Sequence, residues 1–371
     1  MLRALSLSAL TLTLGLTCST VVCADNRDED GDDNRPLSVA VFGDWPYSQN
    51  LLNNAPLLIK SVNSDRAVRR VIHVGDIHSG SMPCTSAGIL PPIATSNPYW
   101  NQQVYSRFQQ FEAPVVYTPG DNEWTDCHKK KEFFSGAPLK ELASVRGLFF
   151  AKPGVTLGLN EAAVATQAKR FEAAFPSDAQ FVENLMWQQS RVVFVTLNMP
   201  GSNNDGLNLR WSNRFSDPVA QSQEALERTA ADLRWLDAAF ARATRQHAKG
   251  IVIALQADMW DPAAISGDGL DGYTPLVQKL ATLSIQFGRP VLLFNGDSHV
   301  FGADQPLADP TSDTGKIHGT PAVPNLTRIT VQGSTRAPAE WLRLTIEPSS
   351  PEVFSWRNVA YCANPTSATC Q

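Results

Sequence analysis

The sequence predicts an α/β protein, a sheet with helices packed on its faces. Two observations predict it. Six short apolar runs rich in β-branched residues recur along the chain, each four to seven residues long, as buried strands are. Longer amphipathic patterns of helical period fall between the later ones, at 219–247 and 274–287. With 371 residues, 43% hydrophobic and 18% charged, the chain has the make-up of one large or two modest globular domains.

Each element follows in order. Arg3, the apolar stretch Leu5–Leu16 and the small-residue site Val22-Cys23-Ala24 read as a signal peptide over 1–24. That apolar run is short for a membrane span, so no stable span is expected after cleavage, and the expected location is secreted or periplasmic. Residues 25–36 read as an acidic, solvated linker. The strands are expected at 37–43, 71–75, 114–120, 192–197, 251–255 and 291–296. In the helix at 219–247, Leu226, Ala230, Leu233, Leu236 and Phe240 recur near i, i+3, i+4 spacing, and Gly250 follows the end. The runs at 326–331 and 341–346 alternate, as strands with one wet face do. The domain is drawn over 37–347, with a tail at 348–371.

Four cysteines remain after cleavage: Cys84, Cys127, Cys362 and Cys370. An even number in an oxidising compartment suggests two disulfides. Of the three possible pairings we favour Cys84–Cys127 and Cys362–Cys370, the second closing a short tail loop. Lys and Arg number 31 against 36 Asp and Glu, a net charge of −5, so no positive field is available for a nucleic-acid backbone. The sequence has neither a P-loop nor a Gly-x-Ser-x-Gly nucleophile elbow.

The chemistry lies in the turns. Four apolar runs end in Gly-Asp: Gly43-Asp44, Gly75-Asp76, Gly120-Asp121 and Gly296-Asp297. Loops leaving the C-terminal ends of strands in an open α/β sheet converge on one crevice. Four carboxylates brought together repel one another unless cations neutralise them, so a site for a hard metal is expected. A lone Gly-Asp would read as plain turn chemistry.

In order and spacing these stretches resemble the calcineurin-like metallophosphoesterases. That family's motifs run Asp-x-His, Gly-Asp, Gly-Asn-His-Asp/Glu, a lone His, and Gly-His-x-His. The matching stretches here are Gly43-Asp44-Trp45-Pro46, Gly75-Asp76, Gly120-Asp121-Asn122-Glu123, Gln256, and Gly296-Asp297-Ser298-His299. The resemblance covers about residues 37–300 and implies a four-layer α/β/β/α sandwich. It also implies metal-dependent hydrolysis of a small-molecule phosphoester. One metal would see Asp44, Asp76 and His299; a second would see Asp76, Asp121, Gln256 and Asp297.

The departures are specific. Pro46, Asp121, Asn122, Gln256 and Asp297 stand where the family has His, Asn, His, His and His. Oxygen donors therefore dominate, which shifts the expected ions from zinc toward manganese, magnesium or calcium, one or two per chain. Four carboxylates instead of two take the formal charge of a two-metal shell from about +2 to about 0. At the position of the catalytic His, Asn122 donates a hydrogen bond and does not titrate, so general-acid help of ~10²–10⁴-fold is lost unless another acid substitutes. His78 and His128 are the candidate acids. Trp45, Tyr47, Trp124 and Trp260 flank the motif loops and are candidates to wall a ligand cleft; Asn203 is a candidate polar contact. The alternative to a hydrolase is a non-catalytic descendant that binds a ligand or a cation in the same cleft.

Overall fold

The computed structural model describes residues 34–84, 99–206 and 209–371. The expected signal peptide and most of the expected linker lie outside them. The strands are β1 (Leu37–Phe42), β2 (Val68–His73), β3 (Val115–Tyr117), β4 (Ala165–Thr166), β5 (Leu185–Gln189), β6 (Val192–Thr196), β7 (Gly250–Ala254), β8 (Val291–Asn295), β9 (Gly302–Asp304), β10 (Leu326–Thr330), β11 (Ala339–Ile346) and β12 (Phe354–Cys362). They form two mixed sheets, ordered β12-β11-β1-β2-β3 and β4-β5-β6-β7-β8-β10-β9. All eight runs read from the sequence are strands.

Every residue of β1, β6, β7 and β8 is buried, as expected for parallel strands covered on both faces. Val39, Val41 and Ile72 of the first sheet meet Phe194, Val252 and Leu292 of the second in one apolar layer. On its other face the first sheet packs Ala40, Phe42 and Val71 against helices Ala55–Ser64, Trp100–Phe108 and Pro138–Phe149. The second sheet packs Val193, Ile251 and Leu293 against helices Pro218–Arg245 and Thr274–Phe287.

Helix Pro218–Arg245 starts where its sequence directs: the Asp217 side chain accepts from Ala220 N–H, and Pro218 opens the first turn. Its buried stripe is Arg228, Ala231, Asp232, Trp235, Leu236, Ala239, Phe240 and Ala243. Leu226 is 69% exposed, against the expected pattern, because that stripe puts it on the opposite side of the helix.

Both favoured disulfides are present, Cys84–Cys127 and Cys362–Cys370. The domain boundary drawn at 347 is too early. β12 pairs with β11 along its length, from Ile346↔Phe354 to Ala339↔Cys362. β12 is an edge strand whose residues are mostly half-buried or exposed, so it lacks the apolar run by which the other strands were read. Among the described residues no helix is long and apolar enough to cross a membrane.

Candidate metal centre

The topology brings the turns together. β1, β2 and β3 are mutually parallel and end at the first three Gly-Asp turns. β6, β7 and β8 are mutually parallel and end near Gly201, Gln256 and Gly296-Asp297. The backbone ties the loops to one another: Asp44 N–H donates to Gly75 O at 2.9 Å, Trp45 N–H to Asp76 O at 3.0 Å, and Gly296 N–H to Gln256 O at 3.0 Å. Gly120 and Gly296 permit this approach, because a Cβ on Gly120 would overlap Asp76 Oδ1 and one on Gly296 would overlap Asp44 Oδ2. Asp44, Asp76, Asp297 and His299 all have left-handed backbones, with φ of 47°, 60°, 71° and 63°. Non-glycine residues rarely sit there, and such strain concentrates at functional sites.

Two groups of side chains result. In the first, ligand atoms of Asp44, Asp76 and His299 all lie within 4.8 Å of one another. His299 Nε2 is 3.1 Å from Asp44 Oδ1. The Tyr47 hydroxyl stands among them, 3.1 Å from Asp44 Oδ1, 2.8 Å from Asp76 Oδ2 and 3.1 Å from His299 Nε2. Tyr47 is thus a member of the ligand cluster and not a wall of the cleft. One phenolic proton serves one of these neighbours at a time. Asp44 Oδ2 is buried and has no hydrogen-bond partner. Three oxygen donors, one imidazole nitrogen and an unpartnered buried carboxylate oxygen make a set that could hold a metal ion.

The second group is Asp121, Gln256 and Asp297. Gln256 Oε1 accepts the N–H of Gly201, which turns Nε2 toward Asp121 Oδ1 at 3.0 Å and Asp76 Oδ2 at 3.3 Å. Ser202 Oγ lies 2.8 Å from Asp121 Oδ2. Asp297 Oδ2 accepts Asp258 N–H at 3.2 Å. Burial raises the carboxyl pKa of Asp76, Asp121 and Asp297 above the ordinary range. At Asp76 and Asp297 the charge of Asp121 adds to burial; at Asp121 the charge of Asp126 adds to it and Lys131 and Lys129 oppose it. Burial lowers the pKa of His299, but its hydrogen bond to Asp44 and the charges of Asp44 and Asp121 together outweigh this and leave the pKa raised.

The other candidates lie elsewhere. Asn122 Nδ2 lies 2.8 Å from Asp76 Oδ2 and 3.1 Å from both Tyr47 Oη and His78 O; its two protons are shared among these three acceptors, so its amide is locked between the loops. His78 is buried, with Nδ1 on Ser79 O at 3.1 Å. His128 Nδ1 accepts Ser212 N–H at 3.0 Å. Trp45, Trp124 and Trp260 are buried, contrary to a role as cleft walls. Trp45 stacks on Phe108, Trp124 lies under Arg228, and Trp260 lies beneath Arg328 and against His318. Their bulk supports the motif loops from below. Asn203 is also buried; its side chain holds Asp271 and Gly272 N–H at 2.8 Å each. Sequence reading missed Asp126 and Lys129, which back Ser202. The charged run after the third motif was their only signal.

Burial lowers the pKa of His78 and His128 to about 4. Both imidazoles are neutral in the native state at pH 7 and ordinary in the unfolded chain. Their contribution to stability is therefore complete above about pH 6.5 and is lost as the pH falls toward 4. His78→Gln and His128→Gln should each lose less stability than the parent between pH 6.5 and 4.5, measured by urea unfolding at each pH. Parallel curves would refute the buried neutral state.

No family model matches the chain, and no curated protein does. Among solved structures it is similar to one described as GAP50, the anchor in the inner membrane complex of Plasmodium, at 11% identity and a TM-score of 0.43, with 88% of this chain and 89% of that chain covered.

Proposed function

We propose that this chain is an exported metallophosphoesterase-like hydrolase, a four-layer α/β/β/α sandwich that holds a divalent cation through Asp44, Asp76 and His299 and acts there on a small-molecule phosphoester. The observation that carries this is the first ligand group: three side chains from the ends of strands in two sheets, with ligand atoms within 4.8 Å of one another, one of them on an Asp44 carboxylate whose other oxygen is buried without a partner. Two disulfides support an oxidising compartment. The cation, when bound, supplies Lewis-acid polarisation of a phosphoryl oxygen. Asp44, Asp76 and His299 hold and orient it, and the Tyr47 hydroxyl offers a further oxygen. Asn122 donates a hydrogen bond but delivers no proton to a leaving group.

Turnover is therefore expected on aryl phosphates, whose leaving groups need no acid, and at least ~10²-fold less on alkyl phosphates. The test is hydrolysis of aryl phosphate mono- and diesters by chelator-stripped protein with manganese, magnesium, calcium or zinc restored in turn. Metal uptake without turnover on any ester would favour the second reading, a cation- or ligand-binding protein without catalysis. The locked amide of Asn122 supports that reading.

A further inference from the structure

Carboxylates of both ligand groups accept protein hydrogen bonds, but Asp44 of the first keeps a buried oxygen without a partner, whereas both oxygens of Asp121 in the second are taken. Asp121 Oδ1 faces Gln256 Nε2 and Asp121 Oδ2 faces Ser202 Oγ; Ser202 Oγ is also 2.8 Å from Asp126 Oδ1, but two lysines already serve Asp126, which leaves the one hydroxyl proton for Asp121. The Gln256 amide cannot present its oxygen here without breaking the bond from Gly201 N–H. Behind Ser202 stands an ammonium group: Lys129 Nζ is 2.7 Å from Ser202 Oγ and 2.6 Å from Asp126 Oδ1. Lys131 Nζ is 2.6 Å from Asp126 Oδ2, and Lys129 Nζ is also 3.8 Å from the half-exposed Asp268, so Asp126 is shared by two ammonium groups, both of which lower the carboxyl pKa of Asp121. Asp126 is buried, which limits solvent screening of this arrangement.

The donors are held rigidly. Ser202, Asn203, Asn204 and Asp205 form a turn in which all four residues are left-handed, with φ of 52–59°. Arg228 holds that turn through the side chain of Asn204 and, at 3.1 Å, through its carbonyl. Asn203 pins it to Asp271 and Gly272.

We propose that the protein's own groups fill the place of a second cation, with Gln256 Nε2–H and Ser202 Oγ–H satisfying Asp121 and the Lys129 ammonium supplying the positive charge, so that the cleft takes a single divalent cation at Asp44, Asp76 and His299. This rests on the cation site proposed above. The oxygen-rich replacements then have a different meaning from the one their donor types suggest. Asp121 and Gln256 form an internal acceptor–donor pair, while the group around Asp44 remains the binding site.

The test is titration of chelator-stripped protein with manganese, counted by calorimetry and by elemental analysis after gel filtration, with electron paramagnetic resonance of the loaded sample. One tight equivalent with the signal of an isolated Mn(II) is expected. Two tight equivalents, or an exchange-coupled signal, would overturn the single-cation proposal and leave the site itself standing. No tight equivalent would overturn the site, and the proposal with it. Lys129→Met gives a second readout. It should lower the melting temperature of the cation-free protein, and manganese beyond the first equivalent should restore it. A loss that excess manganese does not repair would show Lys129 to be a packing residue and overturn its role as the fixed charge.

Discussion

Asp76→Asn should lower cation affinity by at least ~100-fold while the protein stays folded. Asp76 lies in the middle of the cluster, where its two oxygens meet Tyr47, Asn122 and Gln256. Substitution of a direct ligand should cost at least as much as loss of the groups that orient ligands, ~10–100-fold. At a cation concentration about 100 times the parental Kd, ligand-induced stabilisation should fall from about 2.7 to about 0.4 kcal/mol. Burial and neighbouring carboxylates already disfavour the ionised form of Asp76, so a neutral side chain suits the cation-free fold. Thermal unfolding with and without manganese reads both effects. Unchanged manganese-induced stabilisation in Asp76→Asn would sink the assignment of the site.

Arg228→Met should destabilise the protein by about 3–5 kcal/mol, the loss typical when one partner of a buried ion pair is removed. Arg228 is fully buried. It pairs with Glu224 at 2.8 Å, donates to Asn198 O at 3.2 Å and to Asn204, and lies 5.3 Å from the Trp124 ring centroid. The methionine fills the space but leaves the Glu224 carboxylate and the Asn204 oxygens short of donors. Adding Glu224→Leu should recover part of the loss, because the uncompensated charge is then gone as well. Urea unfolding measures both variants. A cost below about 1 kcal/mol for Arg228→Met would mean that water or another group replaces the guanidinium.

Much of the fold was legible because its strands are buried on both faces. Continuous apolar runs such as Val192–Thr196 and Val291–Asn295 have few other readings once Gly-Asp turns and helical patterns flank them. β12 escaped because an edge strand needs only one packed face. The motif order located the loops that meet at the strand ends, but not the direction of each side chain. Trp45, Trp124 and Trp260 sit beside the right loops and point into the core, a choice made by space beneath the turns and invisible to spacing. Gln256 illustrates the same limit. Its amide offers an oxygen or an N–H, and only the fold, through Gly201 N–H, decides which one meets the carboxylates.

The cluster straddles a seam. Asp44 and Asp76 follow strands of the first sheet, whereas His299 follows β8 of the second. The distance between these donors is set by side chains that separate the sheets, among them Val41, Ile72, Leu292 and Phe294. Close-packed interiors transmit changes of even a methylene. Selection can therefore adjust the spacing of Asp44, Asp76 and His299 through hydrophobic substitutions far from any of the three. Lineages that preserve all three side chains need not preserve the geometry among them, which the layer between the sheets also carries.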